Sequence, residues 1–316
     1  MSKKIIAVVG ATGAQGGGLV RAILNDASGE FAPRAITRNA NSDKARALAE
    51  AGAEVVEADV DSVESLTSAF QDAYGAFCVT FFWDHFSPEK EQAQARNQAQ
   101  AAKAAGVQHV IWSTLEDTRN WMSLDDDRMP TLQGKYKVPH FDAKGEANAI
   151  FTDEVGVPTT LLNTSFYWEN FIFFGSGPQR MPDGSLALVF PLDDAKMPSI
   201  AVDDIGKCAL GVFKRPNLIG QTVGIAGGHH SGTEFAEAMS RATGQQINYV
   251  NVPADVYRSF DFPGADDVGN MFQFKRDFEA DYRASRPLDK VRELNPDLTT
   301  LDAWMAANAD QIPIPE

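Results

Sequence analysis

Three groups of residues in this chain have types and spacings that suit chemistry. The first is Gly10-Ala11-Thr12-Gly13-Ala14-Gln15-Gly16, which follows an apolar run and opens a Leu- and Ala-containing one. Glycine spacing alone is weak, but with a strand before it and a helix after it the run becomes a pyrophosphate cradle. Gly10 then permits the tight turn, Gly13 lets backbone amides approach the phosphates, and Gly16 lets the helix pack on the strand. The helix N-terminus adds partial positive charge. The second group closes the next apolar run, Ile36-Thr37-Arg38-Asn39. A carboxylate there would bind the ribose 2′-hydroxyl of NAD. A guanidinium instead forks onto a 2′-phosphate, and no carboxylate stands in this stretch to repel it. The implied ligand is NADP(H), with Asn39, Asn41 and Lys44 as neighbours, although Lys44 reads equally well as a solvated helix charge. The third group is His140 and Lys144, whose four-residue spacing puts both side chains on one helix face.

These residues need a scaffold to position them. Short β-branched or apolar runs alternate with longer Ala-rich ones, the order of βαβ units on a parallel sheet. Strands are expected at 5–9, 34–37, 54–58, 76–80, 110–114 and 159–163, and helices at 15–25, 45–51, 89–105 and 141–152. Another helix is expected to start from Asp61 as N-cap, since Glu64 stands at capping-box spacing before Leu66 and Phe70. The glycine loop and Arg38 then lie at the ends of the first two strands. Asp59 and Val60 end the third, near the adenine; Thr80 and Phe81 end the fourth, near the middle of the cofactor; Ser113 and Thr114 end the fifth. Beyond residue 165 strand-like pieces at 187–190, 222–226 and 247–252 mix with helices at 203–213, 233–243, 266–282 and 300–308. The fold class is α/β: a Rossmann-type doubly wound parallel sheet over 1–165 and a smaller mixed α/β C-terminal lobe over 166–316, interleaved with it. Ligands bind at the carboxyl ends of such strands, so this lobe should close over those ends and shape a substrate or partner pocket.

Composition excludes several classes. The net charge of −15 and pI near 4.8 repel polyanions, which argues against a nucleic-acid partner. Cys78 and Cys208 fall in apolar or helical runs and read as buried thiols of a reducing compartment, too few for a metal site. No apolar run approaches the roughly 18–20 residues that span a bilayer, and the N-terminal apolar stretch reads as a strand, so no membrane and a cytoplasmic location are expected. His229-His230 reads as loop, and Asp203-Asp204 as a helix cap favourable to its dipole.

The blocks VVGATGAQGG, AITRN, HFDAKGE from His140, FYWEN ending at Asn170, FPGADDVGNMF from Phe262 and LTTLDAW near the C-terminus carry a resemblance. With them the chain resembles, nearly end to end, the NmrA-like family of atypical short-chain dehydrogenase/reductases, in particular its NADP(H) redox-sensor members. The resemblance implies NADP(H) contacts on Gly10, Thr12, Gly13, Ala14 and Gln15, on Arg38, Asp59, Thr80, Phe81 and Lys144, and on Tyr167 to Asn170. It aligns Arg96 with a lysine of the long fourth helix. The basic run after Arg38 is shorter than in relatives, which points to weaker selectivity for NADP over NAD.

Short-chain reductases use a Tyr-x-x-x-Lys pair with a serine from the preceding strand end; here the aligned residues are His140, Lys144 and Ser113 or Thr114. A histidine beside an ammonium is expected to sit mostly neutral at pH 7, a weaker acid reservoir than the tyrosine. Lys144 then clamps the nicotinamide ribose while His140 either polarises a substrate or only walls the pocket. The segment between Leu115 and Pro139 is longer than in relatives. As a lid it would set Trp121, Met122 and Met129 against an apolar substrate and offer the Tyr136 phenol as acid; the alternative is a solvated, mobile acidic flap. Phe81, Phe82, Trp83, Phe166, Tyr167 and Trp168 read as core or as pocket. Two functions stay open: NADPH-dependent reduction of a small carbonyl, imine, quinone or enone, or a non-catalytic NADP(H) sensor that regulates a protein partner. A homodimer suits either.

Overall fold

A computed structural model of the protein describes residues 3–315. Its strands are β1 (Lys4–Val8), β2 (Phe31–Thr37), β3 (Glu54–Glu57), β4 (Gly75–Cys78), β5 (His109–Thr114), β6 (Thr159–Asn163), β7 (Phe166–Tyr167), β8 (Gln179–Arg180), β9 (Leu186–Phe190), β10 (Met197–Ile200), β11 (Thr222–Gly224), β12 (Gly228–His230) and β13 (Ile247–Asn251). Seven of them form one parallel sheet in the order β11-β6-β5-β4-β1-β2-β3. The chain winds outward in both directions from β1 and β4, so the crevice between their carboxyl ends is the switch point where such sheets take ligands. Two three-stranded sheets, β12-β10-β7 and β13-β9-β8, belong to the C-terminal lobe.

The helices are α1 (Ala14–Leu24), α2 (Asp43–Glu50), α3 (Val63–Phe70), α4 (Pro88–Ala104), α5 (Pro139–Ala149), α6 (Asn170–Phe173), α7 (Val202–Phe213), α8 (Gly232–Thr243), α9 (Ala254–Arg258), α10 (Ala265–Asp277), α11 (Glu279–Ala284), α12 (Leu288–Leu294) and α13 (Leu301–Asn308). Alternation along β1 sends Ile6 and Val8 to one face, with Leu19, Val20 and Ile23 of α1 and Ile205, Val212 and Phe213 of α7. Ala7 faces the other way, toward Leu66 and Phe70 of α3 and Ala95 and Ala99 of α4. A third core, rich in phenylalanine, holds the C-terminal lobe together around Phe166, Phe171, Phe190, Phe235 and Phe272. No helix among the described residues is long and apolar enough to cross a membrane. Cys78 and Cys208 are free and buried.

Four expectations are corrected. The 222–226 run, expected in the C-terminal lobe, supplies β11 and extends the large sheet beside β6. Ser62, not Asp61, caps α3, its hydroxyl accepting from the Ser65 amide at 3.2 Å, while the Asp61 carboxylate is drawn to the Gln94 amide at 2.9 Å. His229 and His230 lie in β12, paired with β10, rather than in a loop. Finally, the 115–138 segment is neither a substrate-facing lid nor a mobile flap. Met122 and Met129 are buried in the third core. The Lys137 ammonium donates to the carbonyls of Asp126 and Met129 at 2.7 Å each, and Asn270 of α10 donates to the carbonyls of Pro130 and Lys137. Of Trp121, Met122 and Met129, only Trp121 remains partly exposed, edge-on to Phe274.

Candidate active and cofactor site

The glycine loop lies where β1 ends. Gly10 has φ +65°, a left-handed conformation that suits glycine, and its carbonyl accepts from the Gly13 amide at 2.9 Å. A Cβ on Gly16 would stand 2.5 Å from that same carbonyl oxygen, so α1 starts pressed against the strand end. Gly13 and Ala14 stay exposed and Thr12 half-buried, leaving the start of α1 open to an anion. Arg38 directly follows β2 with an exposed side chain, and although no carboxylate stands beside it in the chain, one reaches it in three dimensions. Its Nη1 meets Asp84 Oδ2 at 3.1 Å. Asn39 accepts from the Asn41 amide, and Lys44 is exposed in the first turn of α2. Asp59 is exposed and accepts from the Asp61 amide, while the Val60 carbonyl accepts from Asn97.

Lys144, in the middle of α5, reaches across to the end of β4. Its ammonium donates to Thr80 Oγ1 at 2.7 Å and lies 2.8 Å from Glu91 Oε1, with the Trp112 ring 5.0 Å away. Thr80 in turn donates to Glu91 Oε1 at 2.5 Å. Glu91 of α4 is fully buried. Burial pushes its carboxyl up, but the Lys144 ammonium and hydrogen bonds from His85, Lys144 and Thr80 outweigh this and hold it down to about 2. Sequence reasoning missed Glu91, because one carboxylate in a charged helix gives no sign that it is the one turned inward. Phe81, next to Thr80, is exposed.

His140 stands one turn before Lys144 on α5. Its Nδ1 lies 2.7 Å from Asp267 Oδ1, and its backbone amide donates to Asp267 Oδ2 at 3.1 Å. Asp267 belongs to α10 and is itself buried. The Trp83 ring lies 4.8 Å from the imidazole and Phe82 6.1 Å from it. No side chain among the described residues pairs with His140 Nε2. Asp267 too was missed as a partner: the Phe262 block stood out in the sequence, but nothing in its spacing points to His140.

Ser113 donates to Gln15 Oε1 at 2.6 Å, and Gln15 Nε2 donates to the Tyr167 hydroxyl at 2.6 Å, tying β5, α1 and β7 together across the crevice. Burial pushes the Tyr167 phenol up to about 12, against hydrogen bonds from Thr164 and Gln15. Thr114 donates to Asn148 and to the Lys144 carbonyl, a support for α5. Asn170 is half-buried at the start of α6, whereas Trp168 and Glu169 are structural, bonded to Ser199 and to the Val202 amide. Two expected members are not brought in. Arg96 pairs with Glu154 at 2.7 Å on the outer side of α4. Tyr136 is buried in the 115–138 segment, its ring against Arg119 at 5.3 Å and Lys135 at 5.0 Å, and burial raises its phenol further.

The profile of the NmrA-like family matches residues 2–305. The NmrA-like family domain-containing oxidoreductase FrzB of Cladobotryum is 31% identical over 90% of this chain and 87% of its own length. Among solved structures, NmrA, a negative transcriptional regulator, in complex with NADP superposes with a TM-score of 0.77 at 23% identity, over 97% of this chain and 95% of that one. The Citrobacter triphenylmethane reductase complexed with NADP(H) superposes with a TM-score of 0.72 at 18% identity, over 98% and 100%.

Proposed function

Because the chain belongs to the NmrA-like family, we propose that it binds NADP(H) along the glycine loop and Arg38 and acts as an oxidoreductase on a small carbonyl, imine, quinone or enone. The oxidoreductase name of FrzB and the NADP(H) held by the two structural neighbours support this reading. So does the fit of the crevice: a start of α1 open to a pyrophosphate, an exposed guanidinium at the end of β2, and an ammonium at the end of β4.

The observation that carries the enzyme reading is the His140–Asp267 pair one helical turn from Lys144. When bound, the dihydronicotinamide supplies a hydride. Lys144, steadied by Thr80 and Glu91, holds the adjoining ribose hydroxyls. Asp267 accepts from His140 Nδ1–H and fixes the ring, so that in its doubly protonated form His140 would pass the Nε2 proton to the substrate oxygen or nitrogen and return to neutral imidazole as the substrate takes the hydride. A carboxylate-oriented imidazole thereby takes the place of the missing phenol. Ser113 favours the regulator reading instead, since its hydroxyl is spent on Gln15 rather than held toward a substrate.

The test is consumption of NADPH by the purified protein across a panel of quinones, enones, imines and aldehydes, after titration with NADPH and NADH. Turnover of at least one class is expected, falling about 10²-fold in His140→Phe while NADPH affinity is kept. Tight NADPH binding with no turnover by concentrated protein would contradict the enzyme and leave the regulator.

A further inference from the structure

The Arg38–Asp84 contact joins two parts of the crevice that have no reason of sequence to meet. Asp84 lies in a short 3-10 turn, Phe82–Asp84, between β4 and α4, and its carboxylate sits on the guanidinium that ends β2. Both side chains are exposed, Arg38 by 75% and Asp84 by 45%, so the pair is weak and open to exchange. The Asp84 carboxylate has no other hydrogen-bond or ion-pair partner among the described residues, the residue's amide donating to the Phe81 carbonyl at 3.2 Å.

We propose that Asp84 is a built-in competitor of the cofactor's 2′-phosphate for Arg38, and so a determinant of the choice between NADP(H) and NAD(H). The inference rests on the reading of Arg38 given above. A 2′-phosphate brings up to two negative charges and a bidentate acceptor to Arg38, and the carboxylate must give way to it. A 2′-hydroxyl carries no charge and leaves the pair intact. Asp84 therefore taxes the phosphorylated nucleotide and spares the other.

The same turn makes the exchange felt on the substrate side. Trp83, beside Asp84, packs on the His140 ring at 4.8 Å and on Gly264, where a Cβ would come within 2.9 Å of the indole. His85, on the other side, has Nε2 3.4 Å from Glu91 Oε2, the carboxylate that holds Lys144. Just beyond the turn, Phe86 has φ +54°, a strained conformation for phenylalanine. A nucleotide that frees Asp84 thus acts on a segment that touches both groups assigned to chemistry, and NADP(H) and NAD(H) leave Trp83 in different surroundings.

The experiment measures dissociation constants for NADPH and NADH on wild type, Arg38→Ala, Asp84→Asn and the charge-retaining Asp84→Glu, with tryptophan emission of these and of Trp83→Phe read at saturation with NADP⁺ and NAD⁺. Asp84→Asn is expected to tighten NADPH about three- to tenfold, the scale of a weak exposed pair plus relieved repulsion. NADH should change less than about twofold, and Asp84→Glu should stay near wild type. The emission difference between the NADP⁺ and NAD⁺ complexes should vanish in Trp83→Phe and shrink in Asp84→Asn. An equal gain for both nucleotides would mark Asp84 as mere background charge, and no gain or a weaker NADPH would likewise overturn the competition. If Arg38→Ala leaves wild-type NADPH affinity unchanged, the Arg38 reading falls and the inference with it. If Arg38→Ala weakens NADPH but Asp84→Asn alters nothing, only the inference falls.

Discussion

His140 and Asp267 are 127 residues apart in the chain, yet their side chains meet at 2.7 Å while Lys144 stays one turn away on the same helix. Asp267→Asn keeps the shape and one acceptor but loses the charge that orients the ring, so kcat is expected to fall at least about tenfold while NADPH affinity and the substrate KM stay near wild type. A merely structural role would instead lower the folded fraction and leave kcat per folded molecule unchanged, which circular dichroism beside active-site titration separates. Glu91→Gln leaves the buried Lys144 ammonium without its counter-charge and is expected to cost about 3–5 kcal/mol in urea unfolding. Its pH signature follows from the lowered carboxyl. Glu91 contributes above the ordinary value of 4.5 and is lost as pH falls toward about 2, so the variant should show a flatter acid limb in that range.

At the scale of elements, the 115–138 segment behaves as a clasp between α5 and α10. Asp142, fully buried in the first turns of α5, accepts from the amides of Lys137, Val138 and Thr118 and from the Thr118 hydroxyl. Asp142→Ala strands three buried amides and is expected to destabilise the protein by about 3 kcal/mol, with proteolytic nicking near residues 123–135 as the first visible change. The same element marks where the sequence stops being legible. The strands at 5–9 and 110–114 and the helix after the glycine loop follow from periodicity, because each is set by its own residues. The burial of Met122 and Met129, and the pairing of Glu91 with Lys144 and of Asp267 with His140, depend on which helices arrive from elsewhere. On spacing alone Asp61 reads as a cap, but Ser62 takes that place and the Asp61 carboxylate accepts from Gln94 of another helix. The resemblance supplied Lys144 and Tyr167, which spacing alone did not assign to a cofactor.

Across the whole molecule, the C-terminal lobe buries an ammonium that makes no ion-pair contact among the described residues. Lys275 of α10 is buried among the rings of Phe141, Phe166, Phe272 and Tyr282 at 5.5–5.9 Å, and the only hydrogen-bond contact of its ammonium among the described residues is Met271 Sδ at 3.3 Å. Burial, and then repulsion from Arg286, outweigh the attraction of Glu116 and push its ammonium down to about 7 from 10.5. The unfolded chain then binds more protons than the folded one between those values, so this residue makes stability rise with pH above 7. Lys275→Met should be more stable near pH 7 and should flatten the rise between about pH 7 and 8.5, below the range where unfolded thiols ionise; denaturant midpoints against pH check it. The central claim, that this fold holds NADPH so as to reduce a substrate, is tested most directly by deuterium transfer. NADPH dideuterated at the nicotinamide C4 is incubated with wild-type protein and the enones, imines and aldehydes of the panel, whose products keep the transferred label on carbon, and products are read by mass spectrometry; quinones, whose hydroquinones lose it to water, are followed by NADPH consumption. One deuterium per reduced enone, imine or aldehyde product, abolished in Lys144→Met and strongly slowed in Asp267→Asn, is the predicted result; tight NADPH binding with no deuterium in any of these products and no NADPH consumed with quinones would contradict it.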